Sequence, residues 1–354
     1  MTPSKRIVKT VSTPTLVEEV IPTDDDHDMY VTSEETRYLT IDDERLDVLR
    51  PNPLLADSYV SRNMLNGKTD IEYLLTKWRK RENVLLVGDT QGGKTMLVNV
   101  LAIKIGEELG LGKPVPVFTL SASNGITDWD LFGQPTSWTD PETGKEHIVW
   151  LPGIADMAAR IGGILYLDEV NMMPERVTSS LHPLTDWRRS FTNRAKAVKV
   201  PGDGFMPETV VASPNLWIVG TMNPGYRGAG ALNEAFQNRF RHLDWSYDAA
   251  VERRLIPNEA VRTLGDALRT SRALGDIQTP IGTAALMRLA EDAIEDGVDM
   301  GLFTLVSMFT ADEKPKVEEI IESRAFKGLI QNAVDRLHPL TGSGDGVLDP
   351  SSPF

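Results

Sequence analysis

The chain has no cysteine. Disulfides, a thiolate zinc site and a cysteine nucleophile are therefore excluded. No apolar run approaches the ~18 residues of a membrane span. The opening residues, MTPSKRIVKT, lack the apolar core of a secretory leader. These absences fit a cytoplasmic protein with no membrane partner. Positive charge is also short: 37 Lys and Arg face 51 Asp and Glu, for a net charge of −14. Residues 1–60 hold 13 acidic and 6 basic side chains, so that segment alone contributes 6 − 13 = −7. An acidic surface repels nucleic acid and argues against it as a partner. The basic clusters Lys77, Arg79, Lys80, Arg81 and Arg188, Arg189, Arg194, Lys196, Lys199 read as solvated faces or loops.

What is present is more specific. Residues Gly88 to Thr95 read GDTQGGKT, a full match to G-x-x-x-x-G-K-[ST]. The β-type run Val84-Leu85-Leu86-Val87 precedes it, and a helical pattern (Met96, Leu97, Val98, Val100, Leu101, Ile103) follows it. Strand, glycine loop and helix give the motif its context. The backbone N–H groups of Gly88, Asp89, Thr90, Gln91, Gly92 and Gly93 wrap a phosphate, and the helix opening at Lys94, Thr95 and Met96 adds a partial positive charge. Lys94 reaches the β- and γ-phosphates, and the Thr95 hydroxyl binds Mg²⁺. The expected ligands are ATP and Mg²⁺.

Organisation follows from composition and period. Residues 1–50 form a polar, acidic, partly disordered N-terminal extension. Residues 51–247 alternate strand and helix, which predicts an α/β core with a parallel sheet. Strands are expected at 84–87, 115–120, 163–167, 216–220 and 242–245, with helices at 94–109, 152–161, 174–186 and 230–239. Two stretches, about 133–150 and 190–214, carry β-type residues around Gly/Pro turns and read as inserted hairpins. From 248 to 340 the period is helical, with helices expected at 248–256, 258–273, 281–296, 298–310 and 315–335. Residues 341–354 (TGSGDGVLDPSSPF) read as a flexible tail.

Three further elements carry chemistry. The apolar run Ile164-Leu165-Tyr166-Leu167 ends in Asp168-Glu169, 74 residues after Lys94. Asp168 is placed to hold Mg²⁺, and Glu169 to polarise the attacking water as general base. The plainer reading is an acidic turn after a buried strand. Trp217-Ile218-Val219-Gly220 ends in Thr221-Met222-Asn223, which puts Asn223, and less directly Thr221, at the sheet edge where ligands bind. On its own this is a strand followed by a turn. Finally, Leu232 to Arg241 reads LNEAFQNRFR. Arg239, with Arg241 in reserve, is a candidate to neutralise charge on a neighbouring subunit's γ-phosphate. An arginine at a helix C-terminus is also favoured by the helix dipole alone.

The order of these elements resembles the AAA+ ATPases, and most closely the MoxR group with its CbbQ- and NorQ-type proteins and the related midasin modules. The likeness spans about residues 70–310. It includes Asp130-Leu131-Phe132-Gly133 before the first insertion, the helix Gly153 to Arg160, Asp168-Glu169-Val170-Asn171 with Leu181-His182-Pro183-Leu184, and Met222-Asn223-Pro224-Gly225-Tyr226. The resemblance implies a sheet of order 5-1-4-3-2 with a small all-helical lid. It implies Lys94 and Thr95 as Walker A, Asp168 and Glu169 as Walker B, Asn223 as sensor 1 and Arg239 as arginine finger. One departure stands out. Ala284 occupies the place of the lid arginine called sensor 2, leaving Arg288 or Arg272 as substitutes, or no such residue.

The implied function is ATP hydrolysis to ADP and phosphate in a homo-oligomer, usually a hexameric ring. The ring would act as a chaperone on a protein client, in metal or cofactor insertion or enzyme reactivation. A separate partner with a von Willebrand A domain is also implied. Trp138, Lys145 and His147 in the first hairpin, and Phe205 and Met206 in the second, are candidate client contacts, although packing onto their own domain is the favoured expectation. Rival readings are an AAA+ loader or translocase acting on nucleic acid, and a nucleotide-gated scaffold with weak hydrolysis.

Overall fold

The computed structural model describes residues 39–200, 204–223 and 232–337. An arm with a short 3₁₀ turn leads through α1 (Leu55–Ser58) to α2 (Asp70–Arg79). The core follows as β1 (Val84–Val87), α3 (Lys94–Leu109), β2 (Val117–Ser121), α4 (Asp128–Phe132), β3 (Gln134–Thr139), β4 (Glu146–Leu151), α5 (Ile154–Ile161) and β5 (Gly163–Asp168). It continues with α6 (Glu175–Ser180), α7 (His182–Thr185), β6 (Ser190–Val200), β7 (Gly204–Val211), β8 (Leu216–Met222), α8 (Glu234–Gln237) and β9 (Arg241–Asp244). Helices α9 (Ala249–Leu255), α10 (Glu259–Leu274), α11 (Thr283–Glu295), α12 (Val298–Ser307), α13 (Lys314–Ser323) and α14 (Phe326–Leu337) complete the chain.

Five strands form one parallel sheet in the order β2-β5-β8-β1-β9. Counting only these strands along the chain, the order is 5-1-4-3-2, as the family resemblance implies. The central strands β5, β8 and β1 are buried on both faces, which is why they read as continuous apolar runs. Side chains alternate between two cores, as a period of two requires. From β5, Ile164 and Tyr166 join the core beneath α2 and α3, with Leu74, Trp78 and Leu97. Leu165 and Leu167 join the opposite core, with Ala155, Leu181 and Phe236. The helices after residue 248 surround a third core that includes Ile256, Leu264, Leu286, Leu302 and Phe326.

Both insertions are antiparallel hairpins, β3 with β4 and β6 with β7. Several expectations need correction. The helix expected at 174–186 is two short helices meeting at Leu181. The one expected at 315–335 is also two, because Ala325 takes a left-handed φ of 49° between them. Of the helix expected at 230–239, only 234–237 is helical among the described residues. Part of the acidic extension is built into the core. Leu39, Ile41 and Leu49 pack on the hydrophobic core, and Arg50 donates to the carbonyls of Pro114 and Ile41. Pro224, Gly225 and Tyr226, most of the extension and the 341–354 tail lie outside the described residues.

Candidate functional site

The glycine loop is shaped by a few backbone positions. Gln91 and Gly93 take left-handed φ angles of 58° and 81° before α3 starts at Lys94. Gly88 has no room for a side chain, since a Cβ would sit 2.2 Å from the Trp245 carbonyl oxygen. Trp245 also donates its indole N–H to the Gly92 carbonyl at 3.0 Å. That bond fastens the loop to the chain after β9, while the Gly88 N–H donates to the Met222 carbonyl at 3.0 Å.

Lys94 is buried, with its ammonium donating to the carbonyls of Gly88 (2.8 Å) and Asp89 (2.6 Å) and to Asn223 Oδ1 (2.8 Å). Burial pushes its pKa down to about 8, against the pull of Asp168, Asp89 and Glu169. Asn223 in turn donates from Nδ2 to Glu169 Oε1 at 2.8 Å. A single amide therefore bridges the phosphate-binding lysine and the candidate base. Glu169 sits directly after β5 with a left-handed φ of 54°. Such a conformation costs a non-glycine residue on the order of 1–3 kcal/mol and recurs where a side chain must be aimed.

Asp168 accepts from the hydroxyls of Tyr166 (2.8 Å) and Thr221 (2.6 Å) on the same oxygen. The Thr95 hydroxyl shares a 3.1 Å hydrogen bond with the Tyr166 hydroxyl. Burial, with the Asp168 charge and hydrogen bond adding to it, raises the Tyr166 pKa well above the ordinary phenol value. It therefore stays a neutral donor. One phenol thus tethers the two oxygen groups, Thr95 and Asp168, that suit a hard cation. Mg²⁺ takes one or two protein oxygens and completes its shell with phosphate oxygens and water, and this pair fits that need.

These groups line one cavity of about 460 Å³. Its walls include Thr90 to Met96, Asp168, Glu169 and Asn223. The arm contributes Tyr59, Val60 and Arg62, and the lid contributes Val251, Thr283, Ala284 and Met287. Arg62 lies 4.0 Å over the Trp245 ring and donates to the Gly92 carbonyl at 2.8 Å. The sequence carries no motif for Arg62, Trp245 or Tyr166, because each acts through a contact distant in the chain. Thr221 is the nearest miss. It lies at the expected sheet edge but is 1% exposed, bonding Asp168 and receiving the Glu169 N–H at 3.1 Å. Its role is to hold the acidic pair, not to meet a phosphate.

Arg239 does not line this cavity. It faces a separate depression with Lys80, Arg81, Thr185, Arg189 and Arg241. Its Nε is buried without a hydrogen-bond partner among the described residues, and an Nη donates to the Ala235 carbonyl. Several neighbouring basic residues are committed locally. Lys77 and Arg241 pair with Glu82, Arg79 with Glu108, and Arg188 with Asp186. In the lid, Ala284 lines the cavity, while Arg288 is exposed and bonds the carbonyl of Ala284 in its own helix. Arg272 pairs instead with the Asp89 carboxylate at 2.7 Å. The hairpins also depart from expectation. Trp138, Phe205 and Met206 are 49%, 73% and 51% exposed, so they are not packed away on their own domain.

Comparison with known proteins agrees with this arrangement. The family profile described as AAA domain (dynein-related subfamily) matches residues 83–240. An uncharacterized protein of Staphylococcus aureus is 31% identical over 266 residues, covering 72% of this chain and 90% of that protein. One from Staphylococcus haemolyticus is 29% identical over 224 residues, covering 58% of this chain and 78% of its own. The protein CbbQ of Hydrogenophilus thermoluteolus is 32% identical over 193 residues, which span 54% of this chain and 63% of CbbQ.

Proposed function

The chain belongs to the dynein-related AAA domain family as a MoxR-like AAA+ ATPase, and from that premise we propose that it works as a ring whose ATP turnover remodels or activates a partner protein. The observation that carries the ring is the position of Arg239. It lines a depression separate from the cavity that holds Glu169, so any nucleotide it serves is held by a neighbour. Six subunits are the family's usual number.

In this reading the residues divide the work. Lys94 leaves its carbonyl and Asn223 partners to meet the β- and γ-phosphates. Thr95 and Asp168 hold Mg²⁺, which supplies charge neutralisation on the phosphates when bound. Asn223, released from Lys94, keeps Glu169 oriented toward the water that attacks the γ-phosphate. Glu169 takes that water's proton. Arg239 of the adjacent subunit offsets charge developing on the phosphoryl oxygens. The exposed Phe205 and Met206 on β7 provide an apolar surface for the client. A separate protein bearing a von Willebrand A domain is the proposed adaptor.

The test is a trapped ring. Glu169→Gln should bind ATP, lose turnover, and hold its partners. Captured from a native lysate with and without nuclease, a protein partner that survives nuclease supports remodelling. Capture that disappears with nuclease would shift the substrate to nucleic acid and end the chaperone reading.

A further inference from the structure

Three consecutive residues at the tip of the phosphate-binding loop are gripped by the lid and the segment leading to it. The Asp89 carboxylate accepts from Arg272 of α10 at 2.7 Å, and both side chains are half-buried. The Thr90 carbonyl accepts from the Tyr247 hydroxyl at 3.0 Å. Gly282, just before α11, lies so close to Gln91 that a Cβ would meet Gln91 Cβ at 2.3 Å. The grip is itself braced. The Arg269 guanidinium stacks 3.9 Å over the Tyr247 ring and pairs with the buried Glu252 at 2.6 Å.

Among the described residues, the lid also presents no cation to the cavity. Thr283, Ala284 and Met287 are the groups α11 turns toward the cavity, none of them charged, and Arg288 is exposed. The cations that do line the cavity are Lys94, from the loop, and Arg62, from the arm. We propose that Arg272 is a positioning residue that couples the lid to nucleotide state through Asp89 of the phosphate-binding loop rather than through the γ-phosphate. The path is short. The Asp89 carbonyl accepts from the Lys94 ammonium at 2.6 Å, while the Asp89 side chain holds Arg272. When Lys94 turns to a triphosphate, the backbone at Asp89 loses that bond and shifts. An ion pair held in a half-buried setting is screened less than an exposed one, so the shift carries α10 with it. The coupling rests on ATP hydrolysis in this cavity and not on the identity of any client.

The absence of native cysteine makes the test clean. Glu107→Cys on α3 and Glu295→Cys on α11, both exposed, take a fluorescent donor and acceptor. Labelled subunits are diluted into unlabelled ones so that only distances within one subunit are read. The lid–core distance should differ between ADP and a non-hydrolysable ATP analogue. In Arg272→Gln that difference should fall below about half, kcat should drop about tenfold, and ATP affinity should stay within about threefold. Arg272→Lys, which keeps the charge, should restore most of both. Asp89→Asn should match Arg272→Gln, and combining the two should add little further loss. An undiminished distance change in Arg272→Gln would overturn the proposal. So would its loss in Arg288→Gln, which would make Arg288 the lid's sensor. Labelled wild-type protein that binds and hydrolyses ATP without any distance change would also overturn it, while leaving the ATPase reading intact.

Discussion

At the residue scale the site is dominated by one lysine held in an uncomfortable place. With its pKa pushed down to about 8, Lys94 is partly neutral in mildly alkaline solution before nucleotide arrives. A triphosphate brings negative charge to the ammonium and restores the proton. ATP binding at pH 8.5 should therefore take up protons. Calorimetry in two buffers of different ionisation enthalpy should give different heats at pH 8.5 and equal heats at pH 6.5. Equal heats at both would mean that Lys94 does not titrate in this range. The same shift sets a sign for stability. The unfolded chain holds the lysine proton up to about 10.5 and the folded chain only to about 8. Between those values the unfolded state binds more protons, so this group's contribution to stability rises with pH. Its penalty is full below about 8 and gone above about 10.5.

At the scale of elements, the second hairpin is fastened to the core by charge as well as by its apolar base. Arg160 on α5 donates to Asp156 at 2.8 Å and to Glu208 of β7 at 2.7 Å, and Lys196 of β6 reaches the same Glu208 at 3.1 Å. Asp156 and Glu208 are buried. Burial raises the Asp156 pKa, and the Arg160 charge counters it only in part. Removing the arginine leaves two buried carboxylates without their main partner. Arg160→Met should cost about 3 kcal/mol of unfolding free energy, read from urea melts. A loss under about 0.5 kcal/mol would show that water already reaches the cluster. If the hairpin meets the client, this variant should also impair remodelling more than basal ATP turnover.

The scale of the whole molecule is where Arg239 has meaning, since it lines a depression separate from the nucleotide cavity. Arg239→Ala subunits and Lys94→Ala subunits should each be inactive alone, the first for want of a finger and the second for want of bound ATP. Mixed, they form interfaces where an intact Arg239 faces an intact loop. Turnover should reappear, with a maximum near equal proportions. Mixtures that stay inactive at every ratio would place the finger elsewhere, with Arg241 the next candidate.

Local pattern determined much of this. The glycine loop, the acidic pair at the end of β5 and the three central strands are written in short runs, because a parallel strand buried on both faces needs continuous apolar residues. Asp168, Glu169 and Asn223 are nameable for the same reason, each lying at or just past the end of such a run, and Lys94 and Thr95 because they close the glycine motif. Tertiary structure alone decided what those residues touch. Tyr166 tethers Thr95 to Asp168 across 71 positions, Trp245 reaches Gly92 across 153, and Arg272 meets Asp89 across 183. Nothing local in the chain marks these partners, because a hydrogen bond depends on where the backbone brings two groups and not on their neighbours in sequence. The helix breaks at Leu181 and Ala325 differ in this respect. Pro183, which lacks an N–H, sits in the first turn of α7 and marks the first break locally, whereas nothing local marks the left-handed φ at Ala325.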